Sequence, residues 1–79
     1  MTGTKLGLGS PWARGALRDL DERRRIEARI PDGCRITVMG GKSSRGPWTL
    51  VLLRDGREVD RVQNASTISH GVDVLLTRP

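Results

Sequence analysis

Hydrophobic positions along the chain fall into short runs, and the longest is Trp48-Thr49-Leu50-Val51-Leu52-Leu53. Arg54, Asp55 and Gly56 follow it, and then the alternating stretch from Arg57 to Val62. Asp-Gly between two such runs predicts a β-hairpin closed by a type I′ turn. Both central residues of that turn need positive φ, which Gly adopts freely and Asp tolerates. A two-residue turn sets Arg54 opposite Arg57, Leu52 opposite Val59 and Leu50 opposite Arg61. One face then carries Trp48, Leu50, Leu52 and Val59, and the other carries Val51, Leu53 and Val62. The first strand is apolar on both faces and calls for cover on both, from a helix, a second layer of sheet or another subunit.

Upstream, residues 1–9 are rich in Gly and Thr and read as a flexible arm. Ser10-Pro11 is a helix start, with Ser capping orphan amides and Pro pre-set for the first turn. Ala13, Ala16, Leu17 and Leu20 keep helical spacing, which predicts a short helix over 11–23 that packs Leu17 and Leu20 onto the sheet. The period then changes to two: Ile26, Ala28 and Ile30 alternate with charged residues, and Ile36 and Val38 alternate with Arg35 and Thr37. Pro31-Asp32-Gly33 supplies the turn between them, so 24–30 and 34–39 read as a first hairpin. The rival is a helix that continues to Arg29, since Arg, Glu and Ala are good helix formers. Residues 40–46 form a polar, glycine-rich connector, and Val72, Val74 and Leu76 alternate in a last strand. The expected fold is α+β and mostly β. A short N-terminal helix precedes about five antiparallel strands in a small, partly open SH3- or Sm-like barrel or a strongly bent sheet. Residues 10–79 make a single small domain.

Size sharpens the demand for cover. A chain of 79 residues buries roughly 60–65% of its unfolded surface, so its core is thin and oligomerisation is one way to complete it. The single cysteine, Cys34, excludes an intrachain disulfide and points to a reducing, cytoplasmic setting. No apolar run is long enough to span a bilayer and no secretory leader is visible, so neither membrane nor export is expected. In that setting the sequon Asn64-Ala65-Ser66 is a chance match.

The net charge is +5 and comes almost wholly from arginine, whose planar fork suits phosphate and carboxylate. A genome biased toward Arg over Lys produces the same count. Candidate anion or nucleic-acid contacts are Lys42 and Arg45 in the connector, Arg54 and Arg57 facing each other at the turn, and Arg61 beyond them. Arg23-Arg24-Arg25 is surrounded by Asp19, Asp21, Glu22 and Glu27, which cancel much of its field. Gly41-Lys42-Ser43 ends like a phosphate-binding loop, but Ile36 stands where that motif needs Gly and a strand follows instead of a helix. Gly7-Leu8-Gly9 fails as a dinucleotide fingerprint because Trp12 occupies the third glycine position.

Catalytic chemistry has little to draw on. His70, Ser69 and Asp73 lie too close together in an extended segment to converge, and one His with one Cys does not complete a zinc site. No catalytic residue, metal, cofactor or small-molecule substrate is expected. Trp12 and Trp48 are the only aromatic residues, with Trp48 assigned to the core, which counts against base stacking. The expected function is a non-enzymatic protein-interaction or assembly module: an adaptor, an inhibitor or a particle subunit such as a phage-encoded component. Its partner is another protein or a second copy, met through Trp12, Val51, Leu53 and Leu75. The alternative is a nucleic-acid-binding barrel that contacts phosphates through its arginines.

Overall fold

The computed structural model describes residues 5–40 and 46–77. Within them the order is β1 (Leu6–Leu8), α1 (Pro11–Ala16), α2 (Leu20–Arg29), β2 (Cys34–Met39), β3 (Trp48–Arg54), β4 (Arg57–Ala65) and α3 (Ile68–Thr77). The strands form one sheet in the order β1-β2-β3-β4, with β1 parallel to β2 and the other pairs antiparallel. The architecture is α+β, an open mixed sheet with helices. The expected arrangement of about five antiparallel strands in a partly open barrel or strongly bent sheet is corrected in three places, each with a physical cause.

The first is 24–30, read as a strand and found helical. Asp19 starts α2 by accepting hydrogen bonds from the amides of Asp21 and Glu22 through Oδ1. Asp21 and Glu22 occupy the first turn and Arg29 the last, complementing the helix dipole. Ile26 and Ile30, two points of the apparent alternation, are also four apart, and both are buried on one side while Ala28 is exposed. The expected 11–23 helix is divided for the same reason: Asp19 caps a new helix, and the chain turns at Leu17. The Arg23 guanidinium donates to the Leu17 carbonyl at 2.8 and 3.2 Å, which satisfies the backbone at the break. Leu17 is buried as expected, whereas Leu20 is 56% exposed.

The second is the last strand, which is α3. Ile68, Val72 and Leu75 form a buried helical stripe, and the Thr67 hydroxyl accepts from the His70 amide at 3.0 Å to start it. The third is the supposed arm: Leu6–Leu8 is a strand, in register with Ile36, Thr37 and Val38. Lys5 fastens its start, with Nζ donating to the Ile30 carbonyl at 3.1 Å and to Asp32 Oδ1 at 2.7 Å.

The central hairpin forms as expected, with Asp55 at φ 53° and Gly56 at φ 83° and Arg54 paired with Arg57. Beyond the turn, however, Leu53 pairs with Glu58 and Leu52 with Asp60, so Val59 is an extra residue in a β-bulge. The slip moves Val62 opposite Leu50 and turns it into the core, while Val59 stays 52% exposed. A second irregularity places Trp48 opposite Ala65, beside Asn64 at φ 61°.

One core results, joining Ile36, Val38, Trp48, Leu50, Leu52 and Val62 of the sheet to Ala13, Leu17, Ile26, Ile30, Val72 and Leu75. All three helices therefore cover the same face of the sheet.

The Lys5–Asp32 pair fixes a pH response. The hydrogen bond from Lys5, and then its charge, hold the Asp32 carboxyl below its ordinary value. A carboxyl depressed in the folded state contributes stability above the ordinary carboxylate range, and that contribution fades as pH falls through the folded value. Lys5→Met is expected to return the Asp32 pKa to the ordinary range in an NMR titration; an unchanged value contradicts the pairing.

Candidate functional site

Among the described residues, no helix or second sheet layer covers the face of the sheet away from the helices. Since Ile36, Val38, Leu50, Leu52 and Val62 point into the core, the strand pleat sends the residues between them to the other side. Register then lays this face out in rows. Arg35, Leu53 and Glu58 make one row, Gly7, Thr37, Val51 and Arg61 the next, and Met39 with Thr49 a third. Its middle is apolar and hydroxyl-bearing, and its guanidinium groups stand at the flanks.

On the β1 side Arg35 lies over Gly7, so closely that a Cβ built on Gly7 falls 2.8 Å from the guanidinium. On the β4 side Arg61 forms two hydrogen bonds to Glu58, at 2.9 and 3.2 Å. The hydrogen bond from Arg61 is the main cause that holds the Glu58 carboxyl below its usual value. Val51 is only 5% exposed between Thr37 and Arg61, Leu53 is half-buried, and Met39 is 37% exposed. The strand that is apolar on both sides thus has helices on one side and this open face on the other.

The remaining candidates are dispersed. Leu75 is on the buried side of α3, 3% exposed, and so offers no exposed side chain to a protein partner. Trp12 is 48% exposed on α1. Arg54 and Arg57 are exposed and directly opposite each other, and among the described residues neither has an ion-pair partner. Lys42 and Arg45 lie outside the described residues. Trp48 is core, as expected.

No protein-family model, curated protein or solved structure matches this chain.

Ser69, His70 and Asp73 sit on a helix, so the argument from an extended segment does not hold: Ser69 and Asp73 are one turn apart. Asp73 instead pairs with Arg29 of α2, and no hydrogen bond joins His70 to Asp73 among the described residues. Cys34 is buried at the start of β2. Among the described residues, no three His, Cys, Asp or Glu side chains gather in a metal-binding group, and no helix is long and apolar enough to cross a membrane.

Sequence reasoning missed Arg35, Thr37, Met39, Thr49 and Glu58 as members of one surface. Alternation along Cys34–Met39 carried the signal, since Ile36 and Val38 inward implies Arg35, Thr37 and Met39 outward. Alternation alone does not tell whether a second layer covers that side.

Proposed function

We propose that the protein is a non-enzymatic interaction and assembly module that associates with a second copy of itself through the uncovered face of its sheet. The carrying observation is the row Arg35–Leu53–Glu58, which sets a cation on one flank, an acid on the other and an apolar side chain between. A two-fold axis lying over β3 and parallel to its strands brings Arg35 of one copy onto Glu58 of the next and Leu53 near Leu53. Such a patch is self-complementary, as an isologous interface requires. Face-to-face sheet packing at about 10 Å would bury Leu53 and Met39 beside Val51, which is already only 5% exposed in the single chain.

Light scattering after size exclusion is expected to give a dimer mass that persists at high salt, because the centre of the patch is apolar. Leu53→Glu places a charge at that centre and is expected to give a folded monomer. A parent protein that is still monomeric at about 100 μM, which means an association weaker than about −5.5 kcal/mol, overturns the reading.

A second reading draws on Arg54 and Arg57. Like charges directly opposite are unfavourable unless something neutralises them, and a nucleic-acid phosphate is one such group. Its mark is an affinity for mixed RNA and DNA that falls steeply with added salt. Affinity that survives high salt counts against it.

A further inference from the structure

A pocket of about 280 Å3 opens on the helix side of the sheet, where two turns meet. The Asp55 amide donates to the Gly33 carbonyl at 3.1 Å, which joins the central hairpin to the turn after α2. Leu52, Val59, Leu75 and Leu76 make the apolar walls, and Arg54 and Asp60 supply the charged side. Val59 is present because of the bulge, and Leu75 and Leu76 because the last element is a helix. The volume is near the lower end of the range of about 300–1,000 Å3 for ligand clefts, so it suits a short chain.

The charges narrow the choice of head group. Arg54 has Arg57 directly opposite, with no acidic partner for either among the described residues. A guanidinium presents a planar fork that matches a carboxylate with two parallel hydrogen bonds. Asp60 accepts from the Arg61 amide at 2.8 Å, and its carboxylate lines the pocket. The C-terminal end of α3, at Leu75 and Leu76, adds the partial negative charge of a helix terminus. Both disfavour a dianion such as phosphate and leave room for a single negative charge at the arginines.

We propose that this pocket binds a short aliphatic carboxylate, its chain between Val59, Leu52 and the end of α3 and its head group on Arg54, with Arg57 adding charge. The site is separate from the uncovered sheet face and does not depend on self-association there.

The test is an NMR titration of the full chain with octanoate, octanamide and inorganic phosphate. Alkylation of Cys34 by iodoacetamide, a neutral reagent, is followed in parallel, because Cys34 lines the pocket and is the sole cysteine. Octanoate is expected to shift the Leu52, Leu75 and Leu76 methyl signals, to slow alkylation, and to bind at least about tenfold more tightly than octanamide. Arg54→Gln is expected to remove that tenfold preference while leaving octanamide binding unchanged, and Arg57→Gln to reduce it less. Equal binding of octanoate and octanamide, tighter binding of phosphate, or no shift of these methyls overturns the proposal. So does a preference for octanoate that survives Arg54→Gln.

Discussion

Replacing Leu75 by alanine is expected to destabilise the fold by about 2–5 kcal/mol, the range for removing a leucine from a packed interior. Leu75 is 3% exposed and shares the core with Leu52, Val72 and Ile36. On a surface patch the same change stays within about 0.5 kcal/mol. Thermal unfolding separates the two: for a domain of this size each kcal/mol moves the midpoint by about 4–8 °C. The folded fraction of Leu75→Ala is expected to keep the oligomeric state of the parent, whereas Leu53→Glu changes that state with little loss of stability. A small loss of stability with loss of association would move Leu75 back to an interface.

Gly71→Ala is expected to destabilise by about 1–2 kcal/mol, although alanine is the better helix former. Gly71 sits where α3 crosses β3, and a Cβ there falls 2.4 Å from Leu50 Cδ1 and 3.2 Å from Ala65 Cβ. Leu50 is fully buried, so its methyl group cannot swing into solvent. Overpacking of this kind costs about 1–3 kcal/mol, and the propensity gain returns about 1 of it at most. Gly15→Ala is the control: nothing lies within 4 Å of the added carbon, and a gain of up to about 1 kcal/mol is expected. Denaturant unfolding of both variants settles the point, and a stabilised Gly71→Ala would mean that α3 does not approach the sheet so closely.

The parts of the fold legible in the sequence were those set by local chemistry. The Asp55-Gly56 turn, the Ser10-Pro11 helix start and the burial of Trp48 and Leu17 follow from turn geometry, capping and hydrophobicity. The parts misread were apolar triplets that suit both periods. Ile26 and Ile30, like Val72 and Leu76, are two steps of an alternation and also one turn of a helix. The cap at Asp19 decided the first case, and the Thr67 start with the Ile68, Val72 and Leu75 stripe decided the second. Of the candidate site, the sequence already points to Val51, Leu53 and Arg61. Glu58 already faces Leu53 in a two-residue hairpin, whereas Arg35 joins the row only through the pairing of β2 with β3, which no local signal specifies.

That bulge also bears on how the protein keeps company. At one rim of the sheet β1 is three residues long, and at the other β4 is interrupted at Val59 and beside Asn64. Neither rim offers a straight ladder of free amides and carbonyls to a stray strand, so open-ended stacking into fibrils is discouraged. If the proposed association holds, encounters are expected on the broad pleated surface instead of at the margins, and a contact between two copies there closes on itself and stops.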